Sequence, residues 1–370
     1  MPPVINHPPS FPLLNVLVGD DEAGRLFCNA AEIEAMLRVE AALAGAEADL
    51  GLIENEAAQR IADVCRDLSV DWDSLAAGLA RDGVVVPDLV RQLRAAVGER
   101  YAQAVHLGAT SQDIVDTGLA LRLKDLAALL LDRLDAVIGA LAELRRRDGA
   151  VPLIARTRMQ RARPFTAGAK LATWIAPLEH YHAALRDLMP RLLVIQFGGP
   201  IGTREDLRGQ GDAVADAMAS RLMLGSTPPW HAQRDRIGTF ASWLSLVSGT
   251  LGKIGQDIVL MTQNEVDEIR LGSSGGGSSS IPHKSNPVQA EMLVTLARFN
   301  AGLLGLLHQA LVHENERSGS AWTLEWLVLP QMAISTAASL RKACALLGGS
   351  VRFVASSPDF QRPSEQRLKD

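Results

Sequence analysis

The sequence predicts an all-α fold: an elongated central bundle of long helices whose core is completed by other copies of the same chain. Three observations carry this. Two apolar stripes run at helical spacing, one from Leu119 to Leu144 and one from Ile237 to Met261. The composition is 47% hydrophobic but only 4% aromatic, with Ala and Leu dominant, which suits an aliphatic helical core. Segments such as LAALLLDRL and LARFNAGLLGLLHQALV are apolar over more than half of a helix circumference, more than one small chain can cover.

The elements follow in chain order. Residues 1–105 read as a small helical domain. Within it, NAAEIEAMLRVEAALAGAEADLGL is helical, with Asn29 as N-cap, Glu32 at the capping-box position and Gly51 as a natural stop. Residues 55–105 supply two or three shorter helices. Residues 106–345 read as the central bundle. The first stripe, Leu119, Leu123, Leu126, Leu130, Leu134, Val137, Leu141 and Leu144, advances by threes and fours. The second, Ile237, Phe240, Leu244, Val247, Leu251, Ile254, Ile258 and Met261, alternates 3 and 4 throughout, the spacing of a coiled-coil seam. Further long helices begin near Leu171 and Val288. Residues 346–370 are polar and proline-bearing and read as a short, frayed C-terminal tail. No strand-rich segment and no internal repeat is read.

Charge and motifs narrow the function. There are 42 acidic and 37 basic residues, a net charge of −5, unlike the basic footprint of a nucleic-acid binder. The N-terminal stretch lacks a basic region and is broken by prolines, so it is not read as a secretory signal. No segment approaches 18 uninterrupted apolar residues, and no membrane span is expected. Three cysteines without a CxxC suit a reducing cytoplasm. GTLGKIG is no phosphate loop, because Val247 and Ile254 stand where Gly and Ser or Thr are needed. HENER ends on Arg317 where a zinc-binding helix needs histidine, and His180 and His182 face different sides of a helix. No metal is expected.

Three segments survive: HLGATSQD (106–113), ARTRMQRARP (155–164) and LGSSGGGSSSIPHKSNP (271–287). They gather Thr110, Ser111, Gln112, Arg156, Thr157, Arg158, Gln160, Lys284 and Asn286. Neutral donors and cations with few carboxylates suit a small substrate with two or more carboxylates. Asn286 and Pro287 read as N-cap and first residue of the next helix, with Gln289 at the capping-box position. That helix start, with Lys284 just before it, is an anion site, and the glycines ahead of it allow a lid to move. Plainer readings stand beside these. Thr110 and Ser111 serve equally as helix caps, the arginines as solvated charge, His106 as a structural histidine, and the Gly-Ser run as a linker.

The three segments closely resemble the signature regions of the fumarase/aspartase superfamily, which includes argininosuccinate lyase, adenylosuccinate lyase and the bacterial 3-carboxy-cis,cis-muconate cycloisomerases. The likeness extends from about residue 11 to about residue 345. MLRVEAALAGAEADLGLI, PWHAQRDR and EWLVLPQ look most like the cycloisomerase branch. The resemblance implies a cytoplasmic homotetramer with active sites shared by three subunits, no cofactor, and a role in aromatic-acid degradation by the β-ketoadipate route. By position it makes Ser278 the catalytic serine and Lys284 and Asn286 binders of substrate carboxylates. His106, Thr110, Ser111, Gln112, Arg156, Thr157, Arg158 and Gln160 become further substrate contacts, and Glu291 and His283 supporting residues.

This sequence departs from the family at four places. Ile281 replaces a Met, Ser285 a common Arg, and Arg158 the histidine of fumarase and adenylosuccinate lyase; the third domain is short. Losing that histidine puts lyase chemistry in doubt. The expected reaction is lactone closure, in which a tethered carboxylate adds to an alkene and Ser278 donates the single proton required. The rival expectations are an adenylosuccinate-type lyase releasing fumarate, a 3-sulfomuconate cycloisomerase, and a non-enzymatic scaffold of the superfamily.

Overall fold

The computed structural model describes residues 12–205, 207–272, 276–277, 279–281 and 284–355. Ser278 and His283, expected to be the catalytic serine and a supporting residue, lie outside the described residues, as do Ser273, Ser274 and Gly275 of the glycine-serine run. The chain opens with α1 (Pro12–Val18), α2 (Asp21–Arg25), α3 (Asn29–Asp49), α4 (Asn55–Asp67), α5 (Trp72–Asp82) and α6 (Val86–Val97). Next come α7 (Ser111–Asp148), β1 (Pro152–Thr157), β2 (Gln160–Thr166), α8 (Ala167–Leu192), α9 (Gly211–Leu222) and α10 (Asp235–Met261). The remainder is β3 (Ile269–Leu271), α11 (Val288–Gln309), α12 (Ser320–Leu347) and β4 (Val351–Phe353).

The two stripes are the spine of the bundle. Every residue of the first lies on α7 and is at most 7% exposed, and every residue of the second lies on α10 and is at most 6% exposed. Together with α8, α11 and α12 they form one hydrophobic cluster. A second cluster joins α3, α4, α5 and α6 to α9 and to the start of α7.

The bundle has two ends, and the chain's geometry separates them. At one end lie the N-termini of α7, α10 and α12: Arg234, the residue before α10, bonds to Asp116 of α7 and Glu325 of α12. At the other end lie the C-termini of α7 and α10, the β1–β2 hairpin and the start of α11. There Trp174 of α8 donates to Asp257 of α10, and Ala290 of α11 packs on Gly255 of α10. The 38 residues of α7 span about 57 Å between the two ends.

Several expectations are corrected. Asn29 does not cap α3. A tight turn through Gly24–Phe27 and Arg25–Cys28 makes Cys28 the half-helical residue, and no side chain caps it. Asn286 does not cap α11 either. Its backbone pairs with Gly276 and its amide donates to the Gly277 carbonyl, so Pro287 becomes the N-cap. Strands exist where none was read: β1 pairs antiparallel with β2, and β3 with β4. The stretch after residue 346 is not frayed throughout, because Val351 is fully buried and Phe353 packs on Trp174. Finally, α11 is long and apolar enough to pass for a membrane span by composition. It packs along α10 and α12 here as a bundle helix, with Leu293, Leu296, Leu303 and Leu307 inward.

Candidate active site

The first segment builds a rigid helix start. Thr110 is the N-cap of α7 and forms a capping box with Asp113. Asp113 is fully buried and accepts from the backbone N–H groups of Thr110, Gly198 and Gly199 at 2.9–3.0 Å, from the Gln196 amide and, at 2.8 Å, from His231 Nε2. The Thr110 hydroxyl accepts from Arg317 Nη1 at 2.9 Å. Thr110 and Ser111 are half-buried at the helix mouth, where free N–H groups favour an anion. Gln112 is fully buried, and its amide donates to Asp116 and to the His231 carbonyl. It braces the helix start and does not open onto solvent.

Beneath this mouth lies a buried charge cluster. Arg234 is 2% exposed and contacts Asp116 and Glu325, each at 2.5 Å. Burial pushes the Arg234 guanidinium down, but the two carboxylates outweigh it and hold its pKa above the ordinary value. Trp322 of α12 also donates to Asp116 at 3.1 Å. The cluster ties α7, α10 and α12 together directly under Thr110 and Ser111.

His106 sits just ahead of the helix mouth, half-buried, with φ +63°. Its Nδ1 lies 2.6 Å from Oε1 of Glu40, a carboxylate of α3 that is 1% exposed. Burial alone would lower the His106 pKa, but Glu40 overrides it and Asp113 adds to the effect, so the pKa is raised.

The second segment is the β1–β2 hairpin at the far end of α7. Thr157 pairs with Gln160, leaving Arg158 and Met159 as a two-residue turn with φ +48° and +67°. Both central residues are left-handed, as the right-handed twist of a tight hairpin requires. Thr157, Arg158 and Gln160 are all exposed. Arg156 is also exposed, but its Nη1 lies 2.6 Å from the buried Glu268 and donates to the Ile154 carbonyl. That anchoring stabilises the base of the hairpin and leaves Arg158 at its tip.

The third segment lies at the same end as the hairpin. Lys284 is exposed, with its backbone N–H bonded to the Ile281 carbonyl at 3.1 Å. Asn286 is half-buried and joins the glycine stretch to the start of α11, which has no side-chain cap. Glu291 is exposed in the first turn of α11.

One chain therefore brings the second and third segments to one end and holds the first at the other. Sequence reasoning missed four residues of the first segment's surroundings: Glu40, His231, Arg234 and Arg317. A signal existed for one of them. Ile33, Glu40 and Glu47 recur every seven residues on the buried face of α3, and an acid at such a position has to meet a partner. Among the described residues, no group of three or more His, Cys, Asp or Glu is placed to hold a metal ion.

Comparison with known proteins agrees with this architecture. A family model described as "Lyase" matches residues 22–300. The 3-carboxy-cis,cis-muconate cycloisomerase of Pseudomonas aeruginosa is 42% identical over 330 residues, which covers 88% of this chain and 72% of that protein. The N-acetyl-S-(2-succino)cysteine lyase of Enterococcus italicus is 36% identical over 322 residues, covering 86% of this chain and 70% of that protein. The solved structure of the 3-carboxy-cis,cis-muconate lactonizing enzyme from Pseudomonas putida superposes with a TM-score of 0.87 at 39% identity, covering 92% of this chain and 77% of that one.

Proposed function

This chain belongs to the lyase family that residues 22–300 match, and we propose that within it the chain is a cycloisomerase that closes 3-carboxy-cis,cis-muconate to a lactone. The observation that carries the reading is the hairpin tip: Arg158, exposed, stands where fumarase-like lyases place an acid–base histidine. Among the described residues of the three segments expected to meet substrate, Thr110, Ser111, Thr157, Gln160, Asn286, Arg158 and Lys284 offer hydroxyls, amides and cations. Such a set binds a polycarboxylate but supplies few bases, and lactonisation needs none. The nucleophile is a carboxylate already ionised and tethered to its target. Its oxygen forms a C–O bond to one alkene carbon, and the electron pair moves onto the conjugated carboxylate. Protonation of the carbon between them completes the ring closure, and the donor regains its proton from solvent, so one proton is taken up for the carboxylate that becomes the lactone ester.

In this reading Ser278 donates the proton, and Lys284 with the uncapped start of α11 stabilises the charge that develops on the conjugated carboxylate. Arg158 grips a substrate carboxylate with two parallel N–H donors, which a histidine cannot do. Thr110, Ser111 and His106 hold another.

Because α7 keeps Thr110 about 57 Å from the hairpin, these groups meet only if copies of the chain pack with opposite ends together. The outer face of α11 supports such packing. Phe299 and Leu306 are 46% and 48% exposed, and at Gly302 and Gly305 an added Cβ would meet nothing within 4 Å. A stripe of this kind suits another bundle helix, and the reading is a homotetramer with shared sites. Three free cysteines, Cys28, Cys65 and Cys344, fit a cytoplasmic location.

The test is the loss of 3-carboxy-cis,cis-muconate absorbance, with the 3-sulfo analogue measured in parallel. Turnover by the wild type and its collapse in Ser278→Ala support the reading. Release of fumarate from a succinyl substrate in place of lactonisation would favour the lyase alternative. A Ser278→Ala enzyme at wild-type speed would remove the serine.

A further inference from the structure

Glu40 lies on α3, outside the three segments. Yet its Oε1 is 2.6 Å from His106 Nδ1, a contact between a side chain that is 1% exposed and one that is 13% exposed. The contact is directional: a carboxylate can only accept, so Nδ1 carries a proton and the ring plane is fixed. The loop is fixed as well. His106 and Gly108 have φ +63° and +65°, and the carbonyl of Val105 accepts from Arg94 Nη2 at 3.0 Å. A histidine held in the left-handed region is uncommon, and a strained residue is kept in place only by its surroundings. With Nδ1 turned to Glu40, the geometry of the ring directs the other nitrogen, Nε2, away from that carboxylate, and His106 itself lies four residues before Thr110, the N-cap of α7.

We propose that Glu40 is a positioning residue for substrate binding: by accepting from Nδ1 it keeps His106 as an imidazolium whose Nε2–H holds a substrate carboxylate. The inference rests on the reading of residues 106–113 as part of a polycarboxylate site. The groups facing this pair come from four helices. They are Glu47 on the same face of α3, Cys65 of α4, Arg94 of α6 and Asp113 of α7. Burial holds both Glu47 and Cys65 in their neutral forms: the Glu47 carboxyl is pushed up to about 9 and the Cys65 thiol to about 12, with Glu40 adding to each. Burial, the largest influence, and Arg94 oppose the imidazolium, and Glu40 with Asp113 outweighs them. The second oxygen of Glu40 is buried without a partner, so the carboxylate has no competing donor to pull it from His106.

Glu40→Gln tests the idea, because the amide keeps an acceptor at the same place and removes the charge. The alkaline limb of kcat/KM for 3-carboxy-cis,cis-muconate is expected to move to lower pH. At pH 8, KM should rise about tenfold with kcat nearly unchanged, the pattern of lost binding. Lowering the pH should restore KM, which a merely structural role would not do. Profiles that superimpose on the wild type overturn the proposal.

Should Glu40→Gln fail to fold, the wild-type protein still decides. Diethyl pyrocarbonate modifies neutral imidazole, so modification of His106, read by mass spectrometry, should rise with pH through a midpoint above the ordinary histidine value. Saturating propane-1,2,3-tricarboxylate should protect it. An unprotected His106, or an ordinary midpoint, overturns the proposal. Protection by the tricarboxylate in a protein that does not lactonise muconates would remove the proposed reaction and leave the Glu40–His106 role intact.

Discussion

Arg317 donates from Nη1 to the Thr110 hydroxyl over 2.9 Å and from Nη2 to the Pro200 carbonyl over 2.7 Å. One side chain from the loop before α12 thereby fixes both the N-cap of α7 and the loop that follows Gly199. Arg317→Met keeps the apolar stem and removes these bonds. It is expected to cost about 2 kcal/mol in urea unfolding, since the bonds are made by a charged donor. The larger effect should fall on KM, because Thr110 loses the partner that sets its hydroxyl.

Asp113 is a stronger point of failure. Its two oxygens accept from five donors in a site without solvent access. Asp113→Asn would set an NH2 group against at least one of those N–H groups. A loss of about 3 kcal/mol is expected, because donors are left buried and unmatched. Chemical denaturation measures it. An unchanged midpoint would show that the network contributes little to stability.

The outer face of α11 gives a prediction about assembly. Phe299→Glu places a charge on an exposed position of the isolated chain, so the helix content should be unchanged by circular dichroism. Between copies the same charge would be buried without a partner. If the proposed tetramer forms, size-exclusion chromatography with light scattering should show it in the wild type and smaller species in the variant, with activity lost in proportion.

Glu47 predicts a pH dependence. It is fully buried, neither oxygen has a partner, and burial, then Glu40, raises its pKa from 4.5 to about 9. An acid whose pKa is higher in the folded state binds its proton more tightly there. Its contribution to stability is therefore greatest below the unfolded value and is lost as pH climbs towards 9. Glu47→Gln cannot titrate. The Tm of the variant relative to wild type should rise between pH 5 and pH 8. Parallel Tm curves would contradict the burial of an uncharged Glu47.

The helices were legible in the sequence wherever one apolar face advances by threes and fours, as at Leu119–Leu144 and Ile237–Met261, because burial of a stripe is a local, periodic property. The hairpin tip was not, since Arg158 and Met159 form a left-handed turn without the Asn or Gly that normally announces one. Nor were the caps of α3 and α11. Asn29 and Asn286 have the right side chains, but a preceding turn in one case and a bridge to Gly276 in the other fix the helix start by tertiary contact. In the site, spacing and resemblance pointed to Thr110, Lys284 and their neighbours. The buried partners Glu40, His231, Arg234 and Arg317 come from segments distant in sequence, and charge complementarity across such distances leaves no local pattern.

The most direct test of a lactonising site assembled from several copies is a mixing experiment. Ser111→Ala and Lys284→Ala chains are each expected to be nearly inactive on 3-carboxy-cis,cis-muconate. When the two are unfolded together in equal amounts and refolded, about a quarter of wild-type activity should return, because random assembly leaves about one site in four with both segments intact. Absence of any recovery, from a mixture that refolds to the wild-type mass, would show that each site lies within one chain and would contradict the account.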